Sequence, residues 1–257
     1  MVQLPIRESS VGLLYLPRGR FLQVASLGFR TFLADLIYLW SIQYYGDLDN
    51  SDRSAFLEHV YGQVITRLDP RYLDPYLVGA LILVVEQGDL KAALSLLDRG
   101  MAANPDKWIL PYEAGFWAYD VGKDFPRAAE YFAKAMKIPG APPSTRRLHA
   151  EMFNKRGDKI TSLRLWKEVL EAAQDENVRT VAANHVHDLA MEIDLKTIQT
   201  ALLAYRRRTA RWPPSLGTLV TAGYLARLPL DPEGEPYSYS PRSGEVKPKT
   251  GFRLRHR

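Results

Sequence analysis

Between residues 73 and 173 the apolar positions recur at the helical period in paired runs, and the pairs themselves repeat. Three stretches, GDLKAALSLLDRG, KDFPRAAEYFAKA and GDKITSLRLWKEV, each carry a small residue at Ala93, Ala128 and Ser162. Leu97, Phe132 and Trp166 follow one turn later, and Gly100, Ala135 and Val169 after them, at steps of 35 and 34 residues. A small residue followed by a bulky one suits a second helix whose backbone crosses a neighbour closely and whose next turn fills the gap. The spacing predicts helix pairs over 73–86 and 91–103, 110–121 and 126–137, and 144–155 and 159–173. Gly88-Asp89 and Gly157-Asp158 break two of the pairs, and Pro105 and the PGAPP run at 139–143 close two repeats. No such pair buries its apolar face alone, so the stack is the folding unit.

The flanks read differently. Residues 1–17 have no period, and Pro5 and Pro17 mark an N-terminal arm. Residues 18–69 form a helical lead-in. Phe21, Val24 and Leu27, then Phe32, Leu33, Leu36, Ile37, Leu39 and Trp40, recur at helical steps around a break at Gly28, and a further helix covers 54–68. The array proper occupies 70–175, and a capping helix at 176–192 follows the QDEN gap. A second pattern runs over 193–247. A helix extends through Arg208, Pro213-Pro214 ends it, a short helix covers 215–222, and a hairpin follows in which Tyr237 and Tyr239 alternate with serine before a turn at 241–244. Residues 248–257 form a basic tail, expected to be mobile.

At these residues two resemblances emerge. The run AAEYFAKAM at 128–136 resembles the second helix of the tetratricopeptide repeat, and Tyr112, Gly115, Phe116 and Tyr119 occupy the aromatic and small positions of its first helix. That resemblance implies a mainly α fold, a right-handed α-solenoid of tetratricopeptide-like helix pairs. The segment at 193–247 resembles the periplasmic part of the major pseudopilin of type II secretion. The matching positions include Leu202, Tyr205, Pro213, Leu216, Leu219, Gly223, Tyr224, Asp231, Pro232, Gly234, Tyr237 and Tyr239. It implies a small C-terminal α+β unit with a short hairpin and a link to bacterial envelope, secretion or pilus assembly. The apolar half of the pseudopilin helix and its acidic calcium loop have no counterpart here, so a packing unit is carried over without polymerisation or metal binding.

Composition adds limits. The excess of 34 basic over 29 acidic residues gives a net charge of +5, too slight to select a partner class. With no cysteine, disulfides, thiolate metal sites and cysteine nucleophiles are excluded. The N-terminus lacks a signal-peptide pattern, and the uncharged piece at 36–46 is far shorter than the roughly 20 residues of a membrane span. No nucleophile elbow, phosphate loop or zinc-protease helix occurs, so neither catalytic residues nor a cofactor are expected.

The expected function is therefore a non-catalytic protein–protein interaction scaffold whose concave groove, lined by first helices, takes a partner helix or extended peptide. With Tyr112, Phe116 and Tyr119 turned into the stack, the stripe Glu113, Trp117 and Asp120 faces the groove. A step of 35 residues back adds Val78, Ile82 and Val85, and a step of 34 forward adds Arg147, Glu151 and Asn154. The competing reading is that the lead-in covers Val78, Ile82 and Val85 and that Trp117 is core. An alternative function is a peripheral membrane or polyanion binder acting through the apolar lead-in and the basic patch Arg206, Arg207, Arg208 and Arg211. Nucleic acid and small-molecule substrates are not expected partners. His185 and His187 point apart on a helix and share no metal; both are expected at the surface or in a cap. Asp231, Glu233 and Glu235 read as a turn.

Overall fold

A computed structural model of the chain describes residues 16–17, 19–46 and 58–254. The chain divides into two compact units between Thr145 and Arg146. Most of the expected N-terminal arm, the start of the 54–68 helix and residues 255–257 lie outside the described residues.

The first unit opens with α1 (Gly19–Ala25) and α2 (Arg30–Gly46), broken where Leu27 and Gly28 both take positive φ. Helix α3 follows as a π-helical segment, Val60–Ile65, running into one α turn, Thr66–Leu68. Within the widened turn the Thr66 hydroxyl donates to the Tyr61 carbonyl at 2.7 Å. One face of α2, made of Ala34, Ile37, Tyr38 and Tyr44, packs on Val60, Tyr61, Val64, Ile65 and Leu68.

The first two repeats come next, α4 (Asp74–Val85) with α5 (Leu90–Ala103) and α6 (Ile109–Asp120) with α7 (Phe125–Ala135). Each helix packs on the next in sequence, and the first helices α4 and α6 also touch, which is the packing of an α-solenoid of tetratricopeptide-like pairs. Ala93 and Ala128 are fully buried with Leu97 and Phe132 behind them, as the repeat spacing predicts. The approach between helices is close enough that a Cβ on Gly100 would stand 2.9 Å from the Tyr76 ring, so this position admits no side chain.

The turns repeat as well. Asp89, Asp124 and Asp158 each cap a second helix by accepting the N–H of Ala92, Arg127 and Thr161 at 2.8, 3.1 and 3.1 Å. The residue before each cap, Gly88, Lys123 and Gly157, is left-handed.

The second unit holds the third pair, α8 (Ser144–Lys155) and α9 (Lys159–Ala172), then α10 (Glu176–Thr209), α11 (Gly217–Thr221), and a two-stranded antiparallel hairpin of β1 (Ser238–Ser240) and β2 (Glu245–Lys247). Ser162 is buried like its equivalents and donates to the Ala150 carbonyl at 2.9 Å across the pair. The expected boundary between a cap at 176–192 and a separate unit from 193 is absent, because α10 is one unbroken helix of 34 residues. Its first half packs on α9 through Ala182 and Leu189, and its second half supplies Ile198, Ala201 and Leu202 to a core with Leu216, Leu219, Tyr237 and Val246.

The C-terminal stretch is held, not free as expected. Asp188 accepts the backbone N–H groups of Arg253 and Leu254 at 2.9 and 2.7 Å. Asp231 accepts the Thr250 hydroxyl at 2.8 Å and the N–H groups of Glu233 and Glu235 at 3.1 and 2.8 Å, so its sequence is the expected turn. Both carboxylates are buried and need donors, and the tail supplies them.

Candidate functional site: the open row of the first helices

The first helices begin at Asp74, Ile109 and Ser144 and end at Val85, Asp120 and Lys155, a constant step of 35 residues. Only the second helix of the third pair comes early, because its turn has three residues (156–158) where the other two have four. The step of 34 read from second helices therefore misplaces the third stripe by one. The equivalents of Glu113, Trp117 and Asp120 are Leu148, Met152 and Lys155, in place of Arg147, Glu151 and Asn154. Burial agrees with this register: Ile82 and Met152 are buried at equivalent positions, and Val85, Asp120 and Lys155 are exposed at another.

Ile82 and Val78 leave the groove for a second reason. Ile82, 4% exposed, belongs to the core that α2 and α3 build, and Val78 packs against the same cluster. The lead-in covers that part of the wall, in line with the competing reading. Val85 is not covered; at 66% exposure it stands open, with Leu81 one turn before it.

On α6, Tyr112 turns inward as expected, its ring edge-on to Phe132 at 5.9 Å, and Tyr119 sits beside Phe125. Phe116 does not follow them. It is 37% exposed and its ring meets Trp117 edge-on at 5.4 Å, so the open aromatic of this helix is Phe116 with Trp117 half-buried behind it. The open row of the first unit is thus Leu81 and Val85 on α4, and Glu113, Phe116 and Asp120 on α6. On α6 the expected stripe keeps Glu113 and Asp120 and exchanges Trp117 for Phe116, and the direction of the Phe116 ring carries no mark in the sequence.

Glu113 is the chemically distinctive member. Burial pushes its carboxyl up from the usual range, and among the described residues it has neither ion pair nor hydrogen bond to offset that cost. Asp120, by contrast, has Lys123 at 3.8 Å.

In the second unit the expected stripe is tied up internally. Asn154 donates to Glu151 at 3.0 Å and accepts from Lys159 at 2.6 Å, and Lys159 also meets Glu192 at 2.7 Å. Arg147 is half-buried with its Nε unpartnered. A cleft of about 700 Å³ opens beyond the Lys159–Glu192 pair, floored by Ile193, Ala201, Ala204 and Leu225.

His187 does not lie at the surface as expected, whereas His185 stays partly exposed. His187 is buried and hydrogen-bonded through Nδ1 to Asp188 at 2.9 Å, and His185 is stacked on Trp166 with centroids 3.8 Å apart. Among the described residues no group of three or more His, Cys, Asp or Glu side chains is placed to hold a metal. Of the basic patch, Arg206 lies over the Trp212 ring at 4.4 Å, and Arg207, Arg208 and Arg211 are exposed.

No protein-family profile matches the chain, and no curated protein matches its sequence. Among solved structures it is similar to TTC0263, a thermophilic TPR protein of Thermus thermophilus, with 20% identity over 65% of this chain and 96% of that one, at a TM-score of 0.39. It is also similar to a chain in the structure of Naa15/Naa10 bound to HypK-THB, with 19% identity over 74% of this chain, at a TM-score of 0.42. The match spans 29% of that chain's length.

Proposed function

We propose that the chain is a non-catalytic scaffold that binds a partner helix or extended peptide along the open row of α4 and α6. The observation that carries this reading is the half-buried, uncompensated carboxyl of Glu113 beside the Phe116–Trp117 ring pair. A row with apolar Leu81, Val85 and Phe116 and one unpaired acid complements a segment that presents an apolar residue and a Lys or Arg one turn apart. The partner's cation would supply what the fold leaves out.

The test compares proteins captured from a cell extract by wild type and by a Phe116→Glu, Trp117→Ala variant whose circular dichroism matches wild type. A partner retained by the first and lost by the second supports the row. An identical set of partners on both removes it.

The pseudopilin resemblance extends the proposal to an envelope, secretion or pilus assembly. It is supported by four positions that carry the resemblance, Leu202, Leu216, Leu219 and Tyr237, being among the buried residues of the C-terminal core. Capture of a secretion or pilus component by the isolated full chain is the expected result; partners of another kind would discard this extension.

A second reading is favoured by Arg207, Arg208 and Arg211, exposed at the C-terminal end of α10 with no ion pair among the described residues. In it the chain binds a polyanion or an acidic membrane surface there. Such binding weakens steeply with salt. Retention on heparin that does not change between low and high salt would discard it.

A further inference from the structure

Helix α2 is apolar on two opposite faces. The first, Ala34, Ile37, Tyr38 and Tyr44, rests on α3. The second carries Phe32, Leu36, Leu39, Trp40 and Ile42, continued by Phe29 just before the helix, and all of these are exposed, Phe29 by 71%, Phe32 by 61% and Leu39 by 59%. Between Arg30 and Gly46 the helix has a single charge, Asp35. A helix that is apolar all round is one that is covered all round. Here the chain's own core covers half.

We propose that a second copy of this chain covers the other half, the two α2 helices lying antiparallel about a two-fold axis that passes near Leu36 and Leu39.

Three observations select this occupant. The first is position. Helices α1 and α2 pack on α3 and form the outermost layer of the first unit's stack among the described residues, and the end of such a stack stays soluble only if its outer face is polar or covered. Among the described residues this outer face is apolar and exposed.

The second is size. Taking about 150–250 Å² for each aromatic ring and somewhat less for Leu and Ile, the exposed fractions amount to roughly 600 Å² of apolar surface per chain. That is at the upper limit of the patch a typical monomer leaves in water, about 300–600 Å². Shared by two copies it comes to roughly 1,200 Å², the lower bound of a stable interface.

The third is charge. Arg30 opens α2, whereas its last turn, ending at Gly46, has no basic residue and carries the negative end of the helix dipole. An antiparallel pair brings each basic end toward the negative end of the other copy's helix and so opposes the two helix dipoles. Moreover, no helix among the described residues is long and apolar enough to cross a membrane.

The experiment is sedimentation equilibrium of the full chain between 1 and 100 μM, on wild type and on a Leu36→Glu, Leu39→Glu variant. Wild type is expected to reach the mass of two chains, and the variant to dissociate at least 100-fold more readily with unchanged helicity. Because the chain has no cysteine, Leu39→Cys provides an independent readout that leaves the face apolar. It should form an intermolecular disulfide under mild oxidation, and Val85→Cys, exposed on α4, should not. A wild type that stays monomeric at 100 μM overturns the proposal, as does a dimer that persists in the double variant or equal cross-linking at both cysteine positions. Flotation of a monomeric wild type with phosphatidylcholine vesicles, lost in the double variant, would assign the face to a bilayer instead. The substitutions at Leu36 and Leu39 do not touch the open row of α4 and α6, so the two proposals fail separately.

Discussion

Asp188 accepts the backbone N–H of Leu254 at 2.7 Å across 66 residues of chain, and the same carboxylate takes the N–H of Arg253 and the Nδ1 of His187. A buried acid satisfied almost entirely by main-chain donors is a clamp. Removing it leaves two amide groups and a ring nitrogen without an acceptor, at a cost of about 1–3 kcal/mol for each that stays buried. Asp188→Ala is expected to destabilise the second unit by about 2–4 kcal/mol, less than the full sum because the freed tail rehydrates. Urea unfolding followed by circular dichroism checks this, and deletion of residues 252–257 should reproduce part of the loss. An Asp188→Ala midpoint equal to wild type would mean that the tail is held by other contacts.

The same clamp predicts a pH dependence. Burial pushes the Asp188 carboxyl up, but the N–H of Arg253, the His187 ring and the N–H of Leu254 together hold it below the usual carboxylate range. Burial likewise pushes Asp231 up, and the N–H of Glu235, the Thr250 hydroxyl and the N–H groups of Glu233 and Thr250 hold it below. For an acid whose folded pKa is depressed, the stabilisation is fully present above the unfolded value, about 3.9 for Asp, and is lost as pH falls through the folded value. Thermal unfolding should therefore show the full contribution of these groups, with little change, between pH 5 and 7 and a falling melting temperature below about pH 4. Asp188→Asn should flatten part of that decline; a decline unchanged in the variant would assign it to other carboxylates.

Much of this fold is legible in the sequence where sterics leave one choice. Ala93, Ala128 and Ser162 stand where backbones cross, and Leu97, Phe132 and Trp166 fill the next gap, so the second helices fix the repeat. The first helices are legible in extent but not in rotation. A turn shorter by one residue before α9 turned a 35-residue step into 34, and on a helix one residue is about 100°, enough to replace Leu148 and Met152 by Arg147 and Glu151. The continuity of α10 through Glu192, Ile193 and Asp194 was hidden for the opposite reason. A change of composition looked like a boundary, yet no Gly or Pro stands there to end a helix. The burial of His187 and the pinning of the tail depend on residues about 65 positions apart, beyond any local pattern.

Lys123 shows where the repeat departs from its own rule. It takes φ +49 at the position where the neighbouring repeats have Gly88 and Gly157 at +66 and +86. A side chain there costs about 1 kcal/mol, and the compensating contacts, Asp120 at 3.8 Å and the Tyr119 ring at 5.7 Å, are exposed and weak. Lys123→Gly is expected to stabilise the first unit by at most about 0.5 kcal/mol after the extra flexibility that Gly gives the unfolded chain. A rise in the denaturation midpoint at unchanged slope checks it, and Gly88→Lys should move the midpoint the other way.

Glu113 offers a test in which stability and function part. Its folded pKa is raised by burial, so its contribution is most favourable below the unfolded value, about 4.3, and is lost as pH rises through the folded one. At neutral pH the charged carboxyl is thus a cost that Gln does not carry. Because the side chain is only half-buried, water screens most of that cost, and Glu113→Gln should raise the melting temperature at pH 7 by only about 1–2 °C. The gain should shrink toward pH 4, where wild type is itself protonated. Glu113→Gln should also weaken capture of a basic partner, because the charge that the fold leaves unpaired is what a ligand's Lys or Arg would meet. A variant that is both less stable at pH 7 and unchanged in binding would show that Glu113 is an ordinary surface acid, and the open row would lose its one electrostatic feature.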